Sequence, residues 1–135
     1  MGKEEMVLFL SEKNRLQTFK KWIFSEEHSC NAAKMAEAGF IHIGSSKEPD
    51  LVKCFFCNKQ LDGWEQDDNP WEEHVSHSSK CKFAMMRTPE GEMTLNQYLD
   101  LADSFGEKII TDIFDKKLET LDEIFKLAES KNSKH

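Results

Sequence analysis

The chain has 135 residues, of which 39% are hydrophobic and 32% charged, and its formal net charge is −7. This length predicts one small domain plus an extended segment. No apolar run is long enough for a transmembrane helix. The acids Glu4 and Glu5 interrupt the first residues, which is not typical of a signal peptide. We therefore expect a protein of a reducing compartment, cytosol or nucleus, with no membrane role.

The negative charge is concentrated in one segment. Residues 48–73 contain eight acidic and two basic side chains, so this segment alone carries a net charge of −6. Such a surface argues against direct binding to DNA, because phosphates attract lysine and arginine. It favours a basic partner such as a cationic peptide. A solvated acidic face without any ligand is the alternative.

The pattern of apolar and turn residues predicts short elements up to residue 87. Three helices are predicted, over residues 11–22, 32–38 and 70–77. Three strands are predicted, over residues 40–43, 51–56 and 59–64. The first helix would turn Leu16, Phe19 and Trp22 inward, and Asn69 would cap the third. These elements indicate an α+β domain with a small three-stranded antiparallel sheet.

Three cysteines and two histidines have the spacing of a metal site. Cys54 and Cys57 form a Cys-x-x-Cys pair, and His74, His77 and Cys81 follow within thirty residues. Thiolate and imidazole are the ligands that structural zinc takes, four at a time. His74 and His77 are three apart on one predicted helix, so spacing alone does not choose between them. A redox Cys-x-x-Cys with unrelated histidines is the alternative, but it is expected in a βαβ context.

A long helix is predicted from Thr94 to about Ser130. Thr94 and Gln97 form a capping box, and apolar residues then recur in alternating steps of four and three. A single helix cannot bury such a stripe on a small neighbouring domain, which favours packing with helices of other chains. A helical hairpin folding back at Gly106 is the alternative. The expected partner-helix contacts are Tyr98, Ala102, Phe105, Ile109, Ile113, Phe114, Leu118, Leu121 and Phe125.

Several motifs together resemble the baculoviral inhibitor-of-apoptosis repeat (BIR) family. The resemblance rests on residues 35–40, 48–51, 54–57, 61–65 and 72–81 and covers about residues 15–87. It implies one structural zinc ion held by Cys54, Cys57, His74 and Cys81, which leaves His77 free. It also implies four segments: an N-terminal segment (1–14), the BIR zinc domain (15–87), a linker (88–93) and the long C-terminal helix (94–135).

A strand edge followed by an acidic turn offers a groove for an extended peptide. The edge can pair with a peptide main chain, Trp64 gives an apolar wall, and Asp62 and Asp68 can receive an N-terminal ammonium group. The resemblance implies that the peptide begins with alanine. It further implies that Lys59 and His77 receive a phosphorylated threonine, and that Glu48 and Asp50 receive a lysine further along the peptide. The full set of implied peptide-binding residues is Glu48, Asp50, Leu51, Lys59, Leu61, Asp62, Gly63, Trp64, Asp68 and His77.

The resemblance implies a non-enzymatic adaptor of the chromosomal passenger complex. The zinc domain would read the tail of histone 3 phosphorylated on threonine. The helix would join borealin-like and inner-centromere-protein-like helices, and through them Aurora kinase. The implied locations are the nucleus, the centromeres of chromosomes, the spindle midzone and the cytoplasm. The alternative is an inhibitor of apoptosis that binds caspases or proapoptotic peptides beginning with alanine. Four protein ligands disfavour a zinc enzyme.

A homodimer is also implied by the resemblance. In one member of this family, the segment before the repeat and the linker after it build a homodimer. The apolar residues that would serve here are Val7, Leu8, Leu10, Met93, Leu95 and Tyr98.

Overall fold

A computed structural model describes residues 6–132 of the chain. They form two compact units, the first ending at Ala102 and the second beginning at Asp103. The α-helices of this part are α1 (Glu12–Leu16), α2 (Ala32–Glu37), α3 (Pro70–His77), α4 (Lys82–Met86) and α5 (Leu95–Asn132). The strands are β1 (Phe40–His42), β2 (Val52–Cys54) and β3 (Gln60–Leu61). Two short 3₁₀ helices cover Val7–Leu10 and Glu90–Glu92.

The three strands form one antiparallel sheet in the order β1-β2-β3, which confirms the predicted sheet. Phe40 pairs with Cys54, and Val52 pairs with Leu61. The strands are shorter than predicted, and β2 ends at Cys54 because the chain turns tightly after this residue. Within that turn Asn58 has a φ of 64°, and the Cys54 N–H donates to the Lys59 carbonyl at 3.0 Å.

The first predicted helix is much shorter in the structure than in the sequence-based prediction. It ends at Leu16, because the Thr18 hydroxyl donates to the Arg15 carbonyl at 2.7 Å and accepts the His42 N–H at 2.8 Å. This contact ties the chain to β1 and prevents a continuous helix to Trp22. Phe19 is buried as predicted, but Leu16 is 42% exposed, so its predicted inward position is wrong.

Arg15 takes the inward position on α1 instead. It is fully buried, and its Nε donates to the Ala36 carbonyl at 2.8 Å, while Nη1 donates to the Phe9 and Leu10 carbonyls at 2.9 and 3.0 Å. Its guanidinium lies 4.6 Å from the centre of the Phe55 ring, a cation–π contact. Arg15 therefore connects the N-terminal segment, α2 and the aromatic core.

Helices α2 and α3 begin and end close to where the sequence indicates. Asn31 caps α2 by accepting the Lys34 N–H, and Gly39, with a φ of 98°, follows its end. The Asn69 side chain accepts the N–H groups of Trp71 and Glu72 at the start of α3. Helix α4, which the sequence analysis did not predict, begins after Cys81.

The long helix is continuous, so the alternative of a hairpin at Gly106 is wrong. Helix α5 has 38 residues, which corresponds to a length of about 57 Å. The predicted capping box is present: the Thr94 N–H donates to Gln97 Oε1 at 2.8 Å, and the Gln97 N–H donates to Thr94 Oγ1 at 3.1 Å. None of the helices in the described part of the chain combines the length and apolar composition of a membrane span.

Candidate metal centre and peptide-binding site

The four predicted zinc ligands come together in the structure. Cys54 ends β2, Cys57 lies in the following turn, His74 is on α3, and Cys81 precedes α4. Their sulfur and nitrogen atoms all lie within 4.8 Å of one another. His77, one turn further along α3, is not part of this cluster and is exposed. The choice of His74 over His77 is therefore confirmed.

The distances between these atoms fit a tetrahedral zinc ion. The Cys54 and Cys81 sulfurs are 4.0 Å apart, and the Cys57 sulfur is 3.6 Å from His74 Nε2. Zinc–sulfur bonds of about 2.3 Å and zinc–nitrogen bonds of about 2.0 Å in a tetrahedron imply ligand separations of about 3.5–3.8 Å. Cys54, Cys57, His74 and Cys81 thus form a site for one structural zinc ion, which would join β2, α3 and the start of α4.

The surroundings of His74 orient its ring for metal binding. The imidazole is fully buried, and Nδ1 lies 2.7 Å from the Ala38 carbonyl oxygen. Because a carbonyl only accepts, Nδ1 donates to it, and Nε2 faces the Cys57 sulfur at 3.6 Å, where a metal ion would take the place of a proton. Metal-ligating histidines are generally held by such a contact from the other ring nitrogen. The Phe40 ring packs against the imidazole at 4.6 Å.

Backbone N–H groups surround the sulfur atoms. The Cys54 sulfur accepts the N–H groups of Phe56 and Cys57 at 3.3 and 3.5 Å, and the Cys81 sulfur accepts the Ala84 N–H at 3.5 Å. These donors stabilise thiolates, which are the forms that bind zinc. The Cys81 contact also caps α4, so a zinc ligand begins the helix that the sequence analysis missed.

Burial and hydrogen bonds shift the pKa values of Cys54, Cys57 and His74 in different directions. Burial and hydrogen bonds raise the pKa of Cys54, whereas hydrogen bonds with Cys54 and Cys81 lower that of Cys57. Burial alone would lower the pKa of His74, but hydrogen bonds with Cys57 and Cys81 raise it to about 9. Zinc binding would displace these protons, so its affinity should fall as the pH falls.

A second site lies beside β3 and α3. A small cavity of about 50 Å³ is lined by Leu61, Asp62, Gly63, Trp64, Asp68, Glu73 and His77. Six of these seven residues belong to the groove predicted from the sequence. The lining combines three carboxylates with the apolar surface of Trp64. This chemistry suits a small cationic group with a short apolar side chain.

Hydrogen bonds fix the walls of this cavity. Trp64 is 8% exposed, and its ring packs edge-on against Phe40 at 5.5 Å, while its Nε1–H donates to the Leu61 carbonyl at 3.3 Å. Asp68 Oδ2 accepts the Glu65 N–H at 2.9 Å, which shapes the acidic turn. β3 is an edge strand of the sheet, so its outer side is available to a peptide main chain.

Four residues predicted for the groove do not line the cavity in the described part of the chain: Glu48, Asp50, Leu51 and Lys59. Lys59 and Glu48 are exposed. The Leu51 N–H donates to the Glu48 carbonyl at 3.3 Å within the loop before β2. Asp50 Oδ2 accepts the Trp64 N–H at 2.9 Å, so this carboxylate contacts the backbone of the cavity wall.

Glu73 is the cavity residue that the sequence analysis missed. It precedes His77 by one turn of α3, and a carboxylate oxygen of Glu73 lies 3.7 Å from His77 Nδ1. The same nitrogen lies 2.9 Å from the Glu73 carbonyl oxygen, so Nδ1 carries the proton. The spacing of four residues was the available signal, because residues i and i+4 share a helix face.

The fold and the metal cluster define the class of protein to which the chain belongs. The model of the family described as "Inhibitor of Apoptosis domain" (BIR) matches residues 15–85. The chain is therefore a member of the BIR family, as its motifs predicted.

Within this family the chain is similar to Baculoviral IAP repeat-containing protein 5, also known as survivin. It is 52% identical to the protein of Cavia porcellus over 94 residues, which are 70% of this chain and 66% of that relative. It is 51% identical to the protein of Rattus norvegicus over 88 residues, 65% of this chain and 62% of the relative. Baculoviral IAP repeat-containing protein 5.2 of Xenopus tropicalis is 47% identical over 87 residues, 64% of this chain and 56% of the relative. The motifs in the sequence also predicted a survivin-like repeat, and these identities confirm it. The match spans 56–66% of the length of these relatives, which is less than two thirds of each.

Proposed function

We propose that the chain is a non-enzymatic reader of peptides that begin with alanine. The observation that carries this proposal is the cavity formed by Trp64, the acidic turn and the His77 face of α3. A free N-terminal ammonium group would meet Asp62, Asp68 and Glu73. The small volume, about 50 Å³, favours a side chain no larger than a methyl group. The peptide main chain would continue along β3 by strand addition.

The preferred ligand in this proposal is the tail of histone 3 phosphorylated on threonine. A phosphate carries about −1.5 to −2 charges near neutral pH and needs cationic donors. His77 supports this role because Nδ1 donates to the Glu73 carbonyl, so that Nε2 remains for a ligand and donates to it when the imidazole is protonated. Lys59 is exposed shortly before β3 and would supply the second donor. Glu48 would meet a lysine further along the tail.

The long helix supports a role in assembly. Helix α5 exposes large apolar side chains: Ile110, Phe114, Leu118, Leu121, Ile124, Phe125 and Leu127. Phe114, Leu118, Leu121 and Phe125 follow one another in steps of four, three and four, as in a coiled-coil seam. We propose that borealin-like and inner-centromere-protein-like helices cover this seam. The chain would then be an adaptor of the chromosomal passenger complex, with Aurora kinase as an indirect partner.

The proposed adaptor would act in chromosome segregation and cytokinesis, at centromeres and the spindle midzone. Residues 48–73 are strongly acidic, which favours the histone tail over DNA as the chromosomal contact. The proposed domain limits are 1–14, 15–87, 88–93 and 94–135.

The homodimer also stays a proposal. Val7 and Leu8 are 52% and 57% exposed and would contribute to it.

Inhibition of apoptosis is the second candidate function, and the same cavity favours it. Caspases and proapoptotic peptides with an N-terminal alanine would use Asp62, Asp68 and Glu73 in the same way. The two functions differ in the need for phosphate. An apoptosis inhibitor would bind unmodified peptides as well as phosphorylated ones.

Calorimetric titration with histone-tail peptides tests the proposal. We expect the phosphorylated peptide to bind at least tenfold more tightly than the unmodified one, because hydrogen bonds to charged groups contribute about 1.5–3 kcal/mol. Acetylation of the peptide N-terminus should abolish binding.

Lys59→Ala and His77→Ala should remove the preference for phosphate, whereas Lys20→Ala, which removes another exposed lysine, should not. Equal losses for both peptides would show that the phosphate is read elsewhere, and binding of the acetylated peptide would exclude the ammonium site.

A further inference from the structure

The carboxylate of Asp50 is hydrogen-bonded to the backbone of Trp64 in the wall of the proposed peptide cavity. Its Oδ2 accepts the Trp64 N–H at 2.9 Å across a sequence separation of fourteen residues. Trp64 directly follows Gly63, whose φ of 73° turns the chain out of β3. The hydrogen bond therefore holds the backbone at the point where the sheet edge becomes the cavity wall. A bond to a charged acceptor is about twice as strong as one between neutral groups.

The loop that presents Asp50 is tightly packed. Within residues 44–50, the Ser45 N–H donates to the Glu48 carbonyl at 3.1 Å. A side chain at Gly44 would approach His42 Nε2 to 2.8 Å and the Pro49 carbonyl to 3.0 Å, so only glycine fits there. This packing leaves Asp50 little freedom to move away from Trp64.

His42, which precedes this loop in the chain, is hydrogen-bonded to Pro49 near the end of the loop. Its Nε2 lies 2.7 Å from the Pro49 carbonyl oxygen, and because a carbonyl only accepts, Nε2 carries the proton. The imidazole stacks on Phe19 at 5.6 Å and meets Trp22 edge-on at 5.3 Å. Its backbone N–H is bonded to Thr18 Oγ1 at 2.8 Å. The ring is thus fixed by residues that lie outside the cavity.

We propose that Asp50 and His42 are positioning residues of the peptide site. The hydrogen bond from His42 to Pro49 holds the loop that carries Asp50. Asp50 in turn fixes the backbone of Trp64. Trp64 is then in the position that the alanine side chain and the ammonium group of a peptide require. Asp50 then acts through Trp64, and its charge does not contact a lysine of the peptide. The inference rests on the proposed function for the identity of the ligand, but the contacts that carry it do not depend on any ligand.

Replacement of Asp50 separates a positioning role from a direct contact with a cationic ligand. Asp50→Ala removes the acceptor, whereas Asp50→Asn removes the charge and keeps an oxygen that can accept the Trp64 N–H. A positioning role predicts a loss of peptide affinity of about tenfold or more for Asp50→Ala and of less than about threefold for Asp50→Asn. A direct contact with a peptide lysine predicts similar losses for both variants.

Hydrogen exchange of the Trp64 amide, measured by NMR on the zinc-loaded full chain without peptide, supplies a readout independent of binding. We expect exchange at least tenfold faster in Asp50→Ala, nearly unchanged in Asp50→Asn, and faster in His42→Phe, which keeps the ring stacking but lacks the donor to Pro49. Lys47→Gln, which removes an exposed charge from the same loop, is the matched control and should leave this exchange unchanged.

Either of two results would overturn the inference. The first is that Asp50→Ala leaves the hydrogen exchange of the Trp64 amide unaltered. The second is that Asp50→Asn and Asp50→Ala lose peptide affinity equally. If the unmodified chain binds no alanine-first peptide, the proposed function is wrong, while the exchange rates still decide the role of Asp50 and His42.

Discussion

His74 and His77 lie on the same short helix, but their surroundings give them different roles. His74 is fully buried beside three sulfurs, and its Nδ1–H donates a hydrogen bond to the Ala38 carbonyl, so it is suited to a metal. His77 is exposed beside the acidic cavity. Helix α3 therefore serves both sites, and its position depends on the zinc ligands. This arrangement would couple the shape of the cavity beside α3 to metal binding.

Arg15 provides a test of the core at the level of one residue. Burial lowers the pKa of this guanidinium to about 10, and three carbonyl oxygens depend on it for hydrogen bonds. Arg15→Met should lower the free energy of unfolding by about 3 kcal/mol or more, because buried acceptors lose their partner. Lys13→Met, an exposed position on the same helix, should change it by less than about 0.5 kcal/mol. Urea unfolding of the zinc-loaded chain measures both, and similar values for the two variants would contradict this account.

Residue spacing predicted a metal site, and the family resemblance chose His74 over His77, but the burial of Arg15 could not be predicted. A Cys-x-x-Cys pair with a later histidine and cysteine has few other interpretations. A lone arginine in a helical pattern is usually exposed. Its burial here depends on carbonyl groups of Ala36, Phe9 and Leu10 and on aromatic rings that meet only in the folded chain.

At the scale of elements, local signals determined the boundaries of α3 and α5, and tertiary contacts determined those of α1 and α4. Asn69 and Thr94 form the helix caps that their sequence contexts indicate. Helix α1 ends early because the Thr18 hydroxyl accepts a hydrogen bond from the backbone N–H of His42, a residue 24 positions away. Helix α4 begins directly after Cys81. The sulfur of this residue caps the helix and is also a predicted zinc ligand. Contacts of this kind leave no local pattern in the sequence.

Helix α5 offers a test of the proposed assembly role. Leu118 and Leu121 are 62% and 46% exposed. Replacing both with Asp should abolish binding of the borealin-like and inner-centromere-protein-like helices, because charges would enter the apolar seam. Zinc content should stay unchanged in this variant. Pull-down with purified partner helices and metal analysis measure the two effects.

Lys116→Asp with Thr120→Asp is the matched control for that experiment, since both residues lie on the opposite face of the same helical turns. It should retain partner binding. Loss of zinc in the leucine variant would show instead that this part of α5 contributes to the zinc domain.

On the scale of the whole molecule, one zinc ion would compensate for a small core. The region matched by the BIR family model, residues 15–85, is short for a stable domain, and short domains often depend on a metal. The zinc ligands join β2, α3 and the start of α4. Structural zinc contributes about 10–16 kcal/mol in zinc-finger peptides, which is comparable to the stability of an entire domain. The fold, and with it the peptide cavity beside α3, should therefore depend on the ion.

Metal analysis of the purified chain combined with thermal unfolding tests this claim most directly. We expect one zinc ion per chain, and a strong chelator should remove it and abolish the cooperative unfolding transition of the zinc domain. A chain without stoichiometric zinc, or an unfolding transition that the chelator leaves unchanged, would contradict the account.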